Sequence, residues 1–289
     1  MKVRAITAVI GIAVLFPFFW FSDPMGLSHP ITYIFPVGLI ILALSSVWEM
    51  LHCVGLDKNW FLSVPLYMAA IAMPVLARVM GELDADFSKL ALIAALVIAV
   101  YLLAVIVFQF GKVDMGKVAL TFLVCFYVIG SFSSFVILRD VPVAGRFLFL
   151  IPLIFSWVTD TFAYFCGMIF GRGGRHKLIP DVSPKKTVEG AIGGIVFCIL
   201  GMVIYGLVIN AVTDYHANYP ILIVGGLFAS IVSQIGDLCM SVIKRAYGIK
   251  DYGKLFPGHG GVLDRFDSVL AVSVVLAVFG SFFNFFEVI

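Results

Sequence analysis

Near its C-terminal end the chain carries Ser241, Lys244, Arg245, Lys250, Asp251, Pro257, Gly258, His259, Gly260, Gly261, Asp264, Arg265 and Asp267 between two long apolar runs. Charge and glycine alternating in this way suit a divalent cation and a polyphosphate. Carboxylates at Asp264 and Asp267 can hold a hard cation, while Lys244, Arg245, Lys250 and Arg265 can neutralise phosphate oxygens. The glycines let backbone amides approach a ligand. Just upstream, Gln234, Asp237, Ser241 and Lys244 fall at i, i+3, i+7 and i+10, one polar stripe on a helix that cannot face lipid. Asp264 and Asp267, three apart, share a face at the start of the next helix, where the N-terminal end attracts phosphate. A tight return between these helices can bring Asp237 and Asp264 together around a metal. The plainer alternative is that Asp264 caps its helix and the loop only follows the charge rule for inward loops.

A second polar stretch runs Gly171-Arg172-Gly173-Gly174-Arg175-His176-Lys177 and then Ser183-Pro184-Lys185-Lys186-Thr187-Val188-Glu189-Gly190. Ser183 as N-cap with Pro184 at the first position predicts a helix start. Lysines in its first turn have the wrong sign for the macrodipole, so either an anion sits there or the loop merely collects inward charge. Glu189 either joins the metal or pairs with a nearby lysine. Asp160, inside an apolar run, needs a cavity or a partner, because a buried acid costs about 2.5–3.5 kcal/mol at a span centre. Helical rise puts Asp237 about 10 Å and Asp160 about 15 Å from the inner ends of their helices, so both can line one inward pocket.

The elements that must position these groups are membrane helices. Hydrophobic residues make up 62% of the 289, charged ones 12%, and mean hydropathy is +1.11, far from the composition of a soluble domain. The expected fold is all-α, a polytopic integral membrane protein of about nine transmembrane helices, near 5–21, 31–51, 60–80, 88–110, 117–138, 146–170, 188–210, 219–243 and 264–287. The first segment, ending in Phe18-Phe19-Trp20-Phe21 with no small-residue cleavage site, reads as a retained span. With the N-terminus cytoplasmic and the C-terminus outside, fifteen Lys and Arg lie inside, and only Arg78, Lys89, Arg139 and Arg146 outside. One membrane domain, 1–289, comprises helices of unassigned role at 1–140 and a catalytic half at 146–289 with cytoplasmic loops 171–187 and 244–263. A net charge of +2 gives no reason to expect nucleic acid.

Remaining features take plain readings. The five scattered cysteines suit packing. Pro17, Pro36, Pro65, Pro74 and Pro152 are expected to kink spans. Glu49, His52, Trp48 and Trp60 read as interfacial residues. Gly190, Gly193, Gly194 and Gly201 permit close helix packing, a subunit interface being one candidate. The run Phe282-Phe283-Asn284-Phe285-Phe286 reads as lipid-facing or packing.

The thirteen positions from Ser241 to Asp267, with Asp160-Thr-Phe-Ala163-Tyr164, Gly167, Gly171, Ser183-Pro184-Lys185-Lys186-Thr187, Glu189-Gly190 and Gln234-Ile-Gly236-Asp237-Leu238, resemble the phosphatidate cytidylyltransferases, or CDP-diacylglycerol synthases. The likeness covers about the last 130 residues in detail. It implies an enzyme, a nucleotidyltransferase of phospholipid biosynthesis, moving a cytidylyl group from CTP to phosphatidic acid with Mg²⁺ and releasing pyrophosphate. On this reading Asp237 and Asp264 are the principal metal ligands, with Asp160 and Asp267 as ligands or supports. Lys244, Arg245 and Arg265 meet phosphate oxygens, and Lys185 and Lys186 help bind the triphosphate. Lys250 and Ser241 belong to the substrate contacts, and His259 either touches phosphate or shapes the turn. The resemblance further implies a homodimer; a bacterial inner (plasma) membrane is expected, and the long inward loops put the site at its cytoplasmic face. A transporter using Asp160 and Asp237 is the rival class; the spaced aspartates of a CDP-alcohol phosphotransferase are not found.

Overall fold

The computed structural model of the chain describes residues 29–83, 87–171, 176–256, 258 and 260–288. The expected first span at about 5–21 lies outside them, as do Pro17, Arg172, Arg175, Pro257 and His259. A 3₁₀ turn at Pro30–Tyr33 leads into α1 (Ile34–Val54), followed by α2 (Trp60–Glu82), α3 (Phe87–Phe108), α4 (Met115–Asp140), α5 (Leu150–Phe170), α6 (Val188–Val212), α7 (Tyr219–Ala246) and α8 (Leu263–Phe282). A one-turn helix, Gly145–Leu148, precedes α5. Among the described residues seven helices are long and apolar enough to cross a membrane, and α3 adds a shorter apolar stretch, Leu92–Phe108. The chain is helical and polytopic, and each of these helices coincides with an expected apolar segment.

Three local expectations are corrected. The last segment does not run on to 287. Its helix stops at Phe282, and β4 (Phe286–Val288) pairs antiparallel with β3 (Tyr215–Ala217). The phenylalanine run is therefore split: Phe282 is 76% exposed, whereas Phe286 is 3% exposed in the core. Pro36 and Pro152 stand in the first turns of α1 and α5, where a missing N–H breaks no ladder, so they start helices rather than kink them. Pro65 and Pro74 do lie inside α2.

Contacts divide the fold into two compact units, one from Met1–Asp140 with Asp251–Asp264, the other from Val141–Lys250 with Arg265–Ile289. In the first, α1, α2 and α4 pack on one another. Their buried stripes include Phe35, Leu39, Ala43, Val47 and Met50 on α1 and Phe122, Cys125, Phe132 and Val136 on α4, spaced as helix faces require. Buried Arg78 is compensated by Asp140 at 3.3 Å and Glu82 at 3.0 Å, as a charge within a span demands. Gly55 ends α1 in the left-handed region at φ 73°. Beyond it, a hydrogen bond from His52 holds the Asp57 carboxyl below its ordinary range.

In the second unit α5 packs along α6, and α6 along α7. Small residues decide this. A Cβ on Gly190 would stand 2.5 Å from the Ala163 carbonyl oxygen, and one on Gly194 3.0 Å from that of Thr159. Gly190, Gly193, Gly194 and Gly201 thus all face α5 of their own chain, and intrachain packing accounts for them. We expect Gly190→Ala to destabilise the protein by about 1–3 kcal/mol, the usual cost of overpacking; a detergent melting curve unchanged from wild type would contradict this. Of the cysteines, Cys125, Cys166 and Cys198 are buried, Cys53 is partly covered and Cys239 is exposed.

Candidate active site

The second unit gathers a charged cluster from three helices and a ribbon. Asp160 comes from α5, Asp237 with Ser241 and Lys244 from α7, and Asp267 with Ser268 from α8. Glycine makes the gathering possible: a Cβ on Gly236 would lie 2.7 Å from the Asp267 carbonyl oxygen and 2.9 Å from the Ala271 methyl. Backbones of α7 and α8 therefore touch immediately beside Asp237. Gln234 ties α7 to α6 by donating Nε2 to the Ala191 carbonyl at 3.2 Å and to Ser230 Oγ at 3.4 Å. Within the cluster Ser241 Oγ donates to Asp237 Oδ1 at 3.3 Å, and Ser268 Oγ donates to Asp160 Oδ2 at 3.2 Å. Asp267 and Ser268 are neighbours on α8, so the Ser268–Asp160 bond and the close approach at Gly236 bring Asp160, Asp237 and Asp267 into one another's field. Asp160 in turn feels Asp237 and Lys186. Three carboxylates in one another's field repel unless cations stand among them, and Lys186 and buried Lys244 are those cations.

The expected helix start at Ser183 is overturned. Ser183–Thr187 is strand β2, paired antiparallel with β1 (Lys177–Ile179), and α6 begins only at Val188. Thr187 is the N-cap, its Oγ1 accepting from Gly190 N at 3.1 Å. The pairing with β1 is irregular, and burial along the strand does not alternate: Pro184 and Lys185 are exposed, Lys186 is half-covered and Thr187 is buried. Lys186 turns inward, its Nζ 2.6 Å from Asp237 Oδ2. The Lys186 contact is an ion pair without directed hydrogen-bond geometry. An anion at a helix N-terminus is no longer needed to explain the two lysines. Glu189, in the first turn of α6, pairs with His176, Nδ1 to Oε1 at 2.5 Å.

Arg245, Lys250 and Arg265 are exposed, and Arg245 Nη1 donates to the Ile249 carbonyl at 3.3 Å. Asp264 belongs to the first unit, where it is buried and its Oδ2 accepts from Tyr252 N at 2.7 Å and Gly261 N at 3.0 Å. One residue there escaped the sequence reading. Glu49, taken as interfacial, is 2% exposed, and its two oxygens accept from Val262 N and Leu263 N, each at 2.8 Å. An acid within an apolar span was the available signal, the same one that marked Asp160 and Asp237.

Among the described residues no group of three or more His, Cys, Asp or Glu side chains is arranged to hold a metal ion. Magnesium needs none, because it keeps several waters and takes one or two carboxylates with substrate phosphates. The donor chemistry is compatible with that ion: the Asp237 carboxylate with the Ser241 hydroxyl, and the Asp160 carboxylate with that of Ser268, are hard oxygens.

A set of membrane helices carrying clustered carboxylates and lysines is what an enzyme handling phosphates within a bilayer requires. The sequence profile described as the cytidylyltransferase family matches residues 2–283, and the chain belongs to that family. It is an enzyme, a nucleotidyltransferase. Relatives named phosphatidate cytidylyltransferase include one from Staphylococcus haemolyticus, 33% identical over 281 residues. Another, from Staphylococcus epidermidis, is 34% identical over 281 residues, and one from Staphylococcus aureus strain COL is 32% identical over 278. Each alignment covers 96% of this chain and 98% of the relative.

Proposed function

We propose that the chain transfers a cytidylyl group from CTP to phosphatidic acid, giving CDP-diacylglycerol and pyrophosphate. The observation that carries this reading is the juxtaposition of Asp160, Asp237 and Asp267 with Lys186 and Lys244 among packed apolar helices. Family membership and the names of the relatives agree with it.

The lipid phosphate has its second pKa near 6 and is largely dianionic at neutral pH, so its oxygen can attack the α-phosphorus without a strong protein base. As that P–O bond forms, the bond from the α-phosphorus to the bridging oxygen breaks and the electron pair leaves on pyrophosphate. The protein's task is to position the reactants and neutralise charge. Lys186 and Lys244 are assigned to phosphate oxygens, supported from the exposed side by Lys185, Arg245, Lys250 and Arg265; Ser241 is a further substrate contact. Asp237 would hold Mg²⁺ with Asp267 and Asp160 as ligands or supports, and Asp264 is assigned to the metal on its i, i+3 spacing from Asp267. Bound Mg²⁺ supplies Lewis-acid neutralisation of phosphate charge. His259, between glycines, keeps its two sequence readings as phosphate contact or turn residue.

The fifteen-to-four bias of basic residues supports nine spans with a cytoplasmic N-terminus and cytoplasmic site. A bacterial plasma membrane fits the relatives' sources. The homodimer rests on the family resemblance, and the mass of the purified detergent complex would test it. Purified protein given labelled CTP and phosphatidic acid should form labelled lipid with one pyrophosphate per turnover, and a chelator should stop it. Absence of lipid product, with flux of substrate across sealed vesicles instead, would replace this reading with transport. Turnover indifferent to chelation would remove the metal from it.

A further inference from the structure

The Glu49 carboxylate lies within the apolar helix α1, almost completely shielded. A buried carboxylate persists only where donors repay its lost hydration. Its donors are the amides of Val262 and Leu263, at the very start of α8. Those N–H groups have no partner within their own helix, and the positive end of the helix favours an anion there. A helix cap is normally local in sequence; this one comes from more than 200 residues away.

The loop is shaped around that carboxylate. A Cβ on Gly253 would lie 2.5 Å from Glu49 Oε1, and one on Gly261 would overlap both Glu49 oxygens. Neither glycine has a backbone angle that demands glycine, so closeness to Glu49 accounts for both. Around this centre Asp264 closes the loop by accepting from Tyr252 N and Gly261 N, and Phe256 pairs with Gly260 across its tip. One acid on an N-terminal helix thus sets where α8 begins and, with it, the placement of Asp264.

We propose that Glu49 is a positioning residue for cytidylyl transfer: it clamps the loop Asp251–Asp264 and fixes the first turn of α8 that carries Asp264. This rests on the reading of Asp264 as a group needed for turnover. The N-terminal helices, which the sequence left without a role, thereby contribute to the reaction without touching substrate.

The test is Glu49→Gln, which keeps the size but turns an amide NH₂ toward a backbone donor. Hydrogen–deuterium exchange of peptides covering 251–264 should quicken by about tenfold. Peptides from α5 and α6 should exchange as in wild type, kcat should fall about tenfold or more, and the KM for phosphatidic acid should hold. In an Asp264→Asn background Glu49→Gln should add little further loss, as groups acting through one path do. Should Glu49→Gln fail to fold, Gly261→Ala reaches the same contact from the other side and should give the same local signature. Unchanged exchange in the loop, unchanged kcat, or loosening spread through every helix would each overturn the proposal. If instead Asp264→Asn itself turns over like wild type, the Asp264 reading fails, an outcome distinct from wild-type behaviour of Glu49→Gln beside an inactive Asp264→Asn.

Discussion

Asp237→Asn is expected to remain folded in detergent and to lose about 10²–10³-fold or more in turnover, the scale of removing one principal electrostatic contact to the reacting group. The amide has the shape of the acid, so the contact of α7 with α8 at Gly236 is not disturbed. What changes is charge. A neutral amide is a poor partner for a hard divalent ion, and it removes the counter-charge 2.6 Å from Lys186, whose side chain is 26% exposed. Two measurements separate folding from chemistry: the melting temperature should stay near wild type, while binding of Mn²⁺, followed by its EPR signal, should weaken. Lys58→Ala, on an exposed turn far along the chain, should match wild type in both. Turnover mostly retained by Asp237→Asn would withdraw the metal assignment.

The next largest effect is expected from Lys186→Ala. Removing this ammonium leaves Asp160, Asp237 and Asp267 facing one another with Lys244 as the remaining nearby cation of the cluster. Each close pair of like charges is unfavourable by about 1–4 kcal/mol at 4 Å across the range from water-like to protein-surface screening. Turnover at subsaturating CTP should fall about 100-fold, chiefly through a higher KM for CTP, because a triphosphate contact is lost. Added Mg²⁺ should recover the melting temperature without recovering turnover, since the ion can replace the missing positive charge but not the lysine's phosphate contact. Lys185→Ala should be milder, about three- to tenfold, because its side chain is exposed and Lys186, not Lys185, pairs with Asp237. Equal losses in the two variants, by steady-state kinetics, would contradict this division of roles between the two lysines.

That division shows where sequence reasoning reached and where it stopped. Ser183-Pro184 carries a good local helix-start signal, yet β1 offers pairing partners to the segment, and Thr187 caps α6 four residues later. Local propensity yields to such tertiary alternatives. Glu49 was misplaced for a related reason. Residue type marked it as an acid in an apolar run, but its partners are backbone amides at Val262 and Leu263, which have no side-chain signature. The glycines of α6 announced close packing without naming the neighbour, and the neighbour proved to be α5.

The sequence by itself determined the membrane helices and their approximate limits, because lipid rewards apolar length whatever the helices touch. It also marked which residue types are candidates for the chemistry, because acids within spans and clustered lysines are costly without a partner or a purpose. Only the tertiary structure decided which apolar face of each helix packs. In a chain with 62% hydrophobic residues the lipid-facing and protein-facing sides look alike, and van der Waals fit at small residues makes the choice. It alone turned Lys186 toward Asp237, set Asp267 beside Asp237 across Gly236, and gave Glu49 its distant amides, since each depends on backbone crossings that no single segment encodes.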